Sequence, residues 1–304
     1  MGLQRQIWRN NTLSTLYLLA FPSLLLGLTW AFFYIIADKP IMGQVNNEFF
    51  YTAPWVMGAV TIWFIIAYYS HSSLIKRATK SESLDRKENT RVYNLVENLC
   101  MSVGMKTPKI NVINDDSLNA FASGINEKSY TISLSRGIIE KLNDKELRGV
   151  IAHELSHIRN KDVRLLIISI IFVGIFAFVS EFALRSTLYS RSDSKKDGRL
   201  LLVVVILATV GYLLSSLFRF GLSRKREFLA DAGAAELTHD PEALAAALIK
   251  ISNNPRIEAV RRHDIAQLFI ENPQEKKKGF FSFFSGIFAT HPPIEKRINI
   301  LKSL

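Results

Sequence analysis

The chain has 304 residues, 48% of them hydrophobic, and 38 Lys and Arg against 27 Asp and Glu, for a formal net charge of +11. That much apolar material argues against a wholly soluble protein. The basic residues flank apolar stretches with no RNA- or DNA-binding signature beside them, so they point to anionic lipid headgroups and away from nucleic acid. A single cysteine, Cys100, excludes an intramolecular disulfide and a Cys-based zinc cage, and fits a reducing compartment.

Arg5 and Arg9 precede an uncharged apolar run from about Thr15 to Ile36, long enough to cross a bilayer and without a small-residue cleavage site, which predicts an uncleaved anchor. Met1-Gly2 has no Ser or Thr at position 6, so myristoylation is not expected. After a short polar loop with Lys39 and Glu48, a second run over 53–70 predicts the return helix, with Trp55, Trp63, Tyr68 and Tyr69 mostly toward its ends. Lys76, Arg77, Lys80, Arg86, Lys87 and Arg91 follow. By the positive-inside rule this segment and the N-terminus lie in the cytoplasm, with the 37–52 loop outside.

Between about 88 and 162 the composition becomes that of a soluble α/β unit. Val92, Leu95, Val96 and Leu99 recur at helical spacing over 90–101, and 109–113 and 130–134 alternate like half-buried strands. Arg136 to Leu142 predicts a short helix. Asn143 with Glu146 makes a capping box for the next helix, over about 144–161, whose apolar stripe is Leu147, Val150, Ile151, Leu155 and Ile158.

That helix carries Val150-Ile151-Ala152-His153-Glu154-Leu155-Ser156-His157. His153 and His157 lie one turn apart, so their imidazoles converge on one point, as two ligands of a single zinc ion do. Glu154, next to the first ligand, can hydrogen-bond a metal-activated water and take its proton. A zinc hydrolase takes a third protein ligand, and the downstream candidate is Glu227 in Ser223-Arg224-Lys225-Arg226-Glu227-Phe228-Leu229-Ala230-Asp231. On a helix Glu227 and Asp231 share a face, which lets Glu227 reach the metal while Asp231 accepts the free N–H of a zinc-bound histidine.

Between the zinc helix and Glu227 lie two more apolar runs, 165–180 ending at Glu181 and 200–218, joined by a polar loop with Arg185, Arg191, Lys195, Lys196 and Arg199. Because His157 and Glu227 must meet at one metal, the two runs cross the membrane as a pair or not at all. A crossing hairpin is preferred, and a hairpin lodged in the cytoplasmic leaflet stays open. Asp240-Pro241-Glu242 starts a helix that continues to Ile251. A further helix is expected over 258–269, 276–288 combines three lysines with five phenylalanines and reads equally as a poorly packed loop or as a segment dipping into the headgroup region, and Ile294 to Leu301 forms a closing helix. His239 and His263 fall outside any constellation and read as surface residues.

These motifs resemble the HtpX-type integral-membrane zinc metalloproteases, which share a peptidase clan with the CAAX prenyl proteases. The resemblance rests on the His153–His157 motif, on Leu118-Asn119-Ala120-Phe121-Ala122-Ser123-Gly124, on the Glu227–Asp231 segment, and on Thr290-His291-Pro292-Pro293-Ile294-Glu295-Lys296-Arg297-Ile298, and it runs over most of the chain. It implies a multi-pass protein of a bacterial-type inner membrane, one Zn2+ per chain, and an endopeptidase acting on protein or peptide substrates, above all misfolded or damaged membrane proteins. It makes Asn119, Ala120 and Phe121 substrate-binding candidates on an edge strand, His291 a candidate oxyanion donor, and Arg297 a candidate holder of Asp231 or the site loop. The fold class expected is α+β: a helical transmembrane protein with two to four spans and a mainly helical, zincin-like cytoplasmic catalytic domain carrying a small β-sheet. Its expected segments are an N-terminal transmembrane hairpin (1–72), a first catalytic part (73–162), a second apolar hairpin (163–221) and a second catalytic part (222–304). Two other readings share parts of the pattern. A CAAX prenyl protease would enclose a chamber with more membrane helices than this chain offers, and a non-enzymatic metal-binding scaffold would have no need of Glu154. Oligomeric state and cleavage specificity leave no trace in the sequence.

Overall fold

The computed structural model describes residues 3–37, 40–189, 202–211, 213, 223–253 and 292–304. The expected helix over 258–269, the 276–288 segment and His291 lie outside them. The chain divides into two compact units, one of Met1–Asn11, His71–Ile167 and Phe220–Leu304, the other of Thr12–Ser70 and Ile168–Arg219.

Helices α1 (Leu3–Ile36) and α2 (Met42–Thr79) are longer than their apolar runs. The flanking polar stretches contain no proline, and the helices continue through them. Both are long and apolar enough to cross a membrane. In the second unit Phe21 of α1 stacks on Phe172 of α6 (Asp162–Tyr189), with ring centroids 4.7 Å apart, and Phe64 of α2 stacks on the same ring at 5.5 Å. The short helix α7 (Leu202–Gly211) belongs to this unit, and a Cβ on Gly211 would stand 2.4 Å from the Phe176 ring.

The first unit is built on a four-stranded sheet of order β1-β2-β4-β3, from β1 (Ser81–Ser83), β2 (Lys109–Ile113), β3 (Ala120–Ser123) and β4 (Thr131–Ser135). β1 runs antiparallel to β2, β2 parallel to β4, and β3 antiparallel to β4 at the far edge. α3 (Thr90–Ser102) lies between β1 and β2 in the chain, α4 (Arg136–Lys141) and α5 (Asp144–Arg159) follow β4, and α3 and α5 pack together. The Asn143–Glu146 capping box is present at the start of α5, where Lys250 also reaches Glu146 Oε2 at 2.8 Å.

α5 is buried almost all round, where the sequence suggested one apolar face. β3 and α3 cover part of it, while α8 (Ser223–Thr238) and α9 (Pro241–Asn253) cover the side that carries the polar residues. Close approach is possible because two glycines face the contacts: a Cβ on Gly233 of α8 would lie 2.7 Å from Ser156 Oγ, and one on Gly149 of α5 would lie 3.1 Å from Leu244 Cα in α9. Leu147, Val150, Ile151, Leu155 and Ile158 all fall in the core. Each such side chain contributes on the order of 1.5–3 kcal/mol of burial free energy, which offsets the cost of holding His153 and Glu154 out of water on the same helix. α10 (Ile294–Leu301) packs on α8 and α9 and brings Arg297 into the interior.

Candidate metal centre

Capping and burial fix α5, and α5 fixes the two histidines. His153 Nε2 and His157 Nε2 stand 3.2 Å apart. Glu227, near the start of α8, completes a triangle, with Oε2 3.7 Å from His153 Nε2 and Oε1 3.5 Å from His157 Nε2. A tetrahedral zinc with ligand bonds of about 2.0–2.1 Å holds neighbouring ligand atoms about 3.3–3.4 Å apart, so the three donors already have the spacing of three corners of such a site. The donor set, two imidazoles and a carboxylate, suits zinc and leaves a fourth position for water or substrate.

The other ring nitrogens are held by acids. His153 Nδ1 is 2.9 Å from Asp231 Oδ1, and His157 Nδ1 is 3.1 Å from Asp162 Oδ2. A carboxylate on each Nδ1 places the proton there and leaves both Nε2 lone pairs facing the common point. Two lone pairs so close repel one another unless a proton or a cation lies between them. Burial disfavours charge on the metal-free His153 ring, but its hydrogen bonds to Asp231 and Glu227 outweigh burial and lift its pKa to about 9.

Asp231 is itself clamped. Arg297 donates from Nε to Oδ2 at 2.9 Å and from Nη2 to Oδ1 at 2.7 Å, a bidentate pair with both side chains 1% exposed. Burial alone would raise the Asp231 pKa, yet the Arg297 charge and hydrogen bonds and the His153 contact hold it at about 2. The same guanidinium reaches Glu227, with Nη1 3.6 Å from Oε2. Two carboxylates around one guanidinium, together with the His153 imidazole, keep this buried group of four close to charge balance, which low-dielectric surroundings demand.

Glu154 lies between the ligands in sequence and is 2% exposed. Burial raises its pKa, partly opposed by His153 and His157 and by a hydrogen bond from the backbone of Ala122. That hydrogen bond follows from the register of β3. Ser135 N donates to Asn119 O at 3.0 Å, and with Phe121 opposite Ser133 this puts 119, 121 and 123 in hydrogen-bonded register with β4. The backbone groups of Ala120 and Ala122 therefore point away from β4, on an edge where all four residues of β3 are buried. Ala120 N donates to Asn119 Oδ1 at 2.9 Å. Asn119, Ala120 and Phe121 are wholly buried and Ala122 nearly so.

Of the site residues expected from the sequence, the structure brings together His153, Glu154, His157, Glu227, Asp231 and Arg297, and buries Asn119, Ala120 and Phe121 at β3. Sequence reasoning missed Asp162. Lys161, at φ +60, turns the chain between α5 and α6 and places Asp162 five residues after His157, under its Nδ1. The only signal for it was an acid just past the end of the zinc helix.

A buried helix aiming two imidazoles at one point, a carboxylate from a second helix beside them, and an acid adjacent to the first imidazole are the pattern of zincin-type metallohydrolases. A match to peptidase family M48 covers residues 86–304. A "Protease HtpX homolog" of Bacteroides fragilis (strain YCH46) is 56% identical over 318 aligned positions, covering 99% of this chain and 98% of that one. A protein of the same description from Dictyoglomus thermophilum is 39% identical over 255 positions, covering 82% of each. Among solved structures, S. mikatae Ste24p aligns with a TM-score of 0.50 at 19% identity, over 97% of this chain and 66% of that one, a likeness of fold. The chain belongs to peptidase family M48 and is a membrane metalloprotease of the HtpX type.

Proposed function

We propose that the protein is a zinc-dependent endopeptidase whose catalytic unit lies in the cytoplasm of a bacterial-type inner membrane, and that it cleaves misfolded or damaged membrane proteins. The observation that carries the chemical part is the donor triangle of His153, His157 and Glu227, at separations of 3.2 to 3.7 Å, with a carboxylate on each imidazole Nδ1. When bound there, zinc supplies a Lewis acid and lowers the pKa of the attacking water. Glu154 takes that water's proton and hands it to the nitrogen of the leaving amine. Burial, which raises the Glu154 pKa, brings its basicity nearer the working pH. Asp231, held by Arg297, fixes His153 in the tautomer that presents Nε2.

Substrate is proposed to lie extended along the edge strand β3, at Asn119, Ala120 and Phe121, on the family resemblance. His291 is proposed as an oxyanion donor on the family resemblance alone.

The test is metal analysis coupled to a cleavage assay on casein or a membrane substrate, with and without a chelator. Wild-type protein is expected to carry about one zinc per chain and to lose activity on chelation. Glu154→Gln is expected to keep its zinc and lose cleavage, because only the proton carrier is removed; near-normal cleavage by this variant would sink the mechanism.

A further inference from the structure

Asn10, in the first turns of α1, is wholly buried. Its side-chain amide donates both protons into the metal centre's surroundings: Nδ2 lies 2.6 Å from Asp162 Oδ1 and 2.7 Å from the carbonyl oxygen of Asn160. Two acceptors at those distances require the nitrogen, not the oxygen, at that position. Asn160 is the C-cap of α5, and the other oxygen of Asp162 accepts from His157 Nδ1. One amide therefore touches both the end of the zinc helix and the acid that orients the second histidine.

We infer that Asn10 is a positioning residue for the metal centre: it holds Asp162 in the rotamer that sets the His157 tautomer, so that the start of the first membrane helix is a working part of the catalytic unit. A carboxylate with one oxygen on His157 and the other bonded only to water could swing about its Cα–Cβ axis and take the imidazole with it. With Oδ1 bonded to Asn10, that rotation breaks a charge-assisted hydrogen bond. The second donation, to Asn160 O, ties the same amide to the helix whose position sets the His153–His157 separation. Nothing in the residue pattern around 10 announces this role, since an asparagine ahead of an apolar run reads as helix-flanking polarity.

The inference rests on the metal reading above, and the experiment separates the two. Zinc affinity of the full-length chain in detergent is measured by chelator competition for wild type, Asn10→Leu, Asp162→Asn and the double variant, with the visible spectrum of the cobalt(II)-loaded forms as a second readout. Leucine is close to isosteric with asparagine and removes only the hydrogen bonds. Asp162→Asn is expected to weaken zinc binding about 10–100-fold, and Asn10→Leu about 3–10-fold as a step further from the metal. Because Asn10 acts through Asp162, adding Asn10→Leu to Asp162→Asn should cost less than about 2-fold more. The cobalt(II) bands of Asn10→Leu should shift with those of Asp162→Asn. If wild type binds no zinc, the metal reading fails. If wild type binds and Asn10→Leu binds equally well with an unchanged spectrum, or if the two losses multiply in full, this inference is overturned. Should Asn10→Leu not fold, Asn10→Ala carries the same expectation; failure of both to fold would make Asn10 a folding residue and refute the assignment.

Discussion

Glu227 and Asp231 lie one turn apart on α8, yet their removal should read differently. Glu227→Ala deletes a donor atom of the triangle, so zinc occupancy after purification should fall with activity. Asp231→Ala leaves three donors and loosens one, and zinc affinity should drop by about 10–100-fold with partial occupancy at saturating metal. A Glu227→Ala protein with full zinc and full activity would mean the third ligand is misassigned. Arg297→Ala leaves the Asp231 and Glu227 carboxylates facing each other's charge in the interior, and should cost about 3–5 kcal/mol of stability, measured by chemical denaturation of the metal-free protein. Cys100 supplies a control for such work. Burial raises its thiol to about 11, against the pull of a hydrogen bond with Thr107. The raised folded pKa means that the stabilising contribution of the neutral thiol is present below about 9 and is lost as pH rises toward about 11. At pH 8 the native thiol should not react with a thiol reagent, while the denatured chain should label fully.

Secondary structure followed the sequence closely where periodicity is long and capped. α3, α4, α5, α9 and α10 begin and end within about two residues of where capping and apolar spacing put them. β1 escaped notice because three polar residues, Ser81 to Ser83, carry no alternation, and the strand exists only by pairing with β2. β3 is four residues, all buried, so its sequence shows no period-2 signal either; the family resemblance, not the pattern, pointed to an edge strand there. Asp162 was invisible because its meaning depends on a turn at Lys161 that brings it back under His157. Gly233 was likewise a small residue in an alanine-rich stretch until α8 was seen against α5. Its added Cβ would stand 2.7 Å from Ser156 Oγ and 3.1 Å from Ser156 Cβ, and the hydroxyl is itself held by Ala152 O at 2.8 Å. Gly233→Ala should therefore push α8 off the zinc helix. We expect a stability loss of about 1–3 kcal/mol and weaker zinc binding through displaced Glu227, both absent in a control such as Ala232→Ser on an exposed position of α8.

The unit that carries the metal centre is assembled from three stretches of chain, Met1–Asn11, His71–Ile167 and Phe220–Leu304. Thr12–Ser70 and Ile168–Arg219 are excursions that leave this unit and return to it. An excursion that starts and ends on one side of a bilayer crosses it an even number of times, so the N-terminus must share the side of the catalytic residues. Lys76 and Arg77 in the last turn of α2, followed by Lys80, Arg86, Lys87 and Arg91, predict by the positive-inside rule that this side is the cytoplasm. Single cysteines introduced at exposed positions should report this on intact cells with a membrane-impermeant thiol reagent, the native Cys100 being buried and silent. Asn47→Cys, near the start of α2, should label from outside, whereas Asp85→Cys and a cysteine appended before Met1 should label only after lysis. Outside labelling of Asp85→Cys would overturn the cytoplasmic placement, and a split between Asp85→Cys and the N-terminal reporter would break the parity argument. Ser194→Cys then decides the second excursion: labelling from outside selects a crossing hairpin, and protection until lysis selects a hairpin held in the cytoplasmic leaflet.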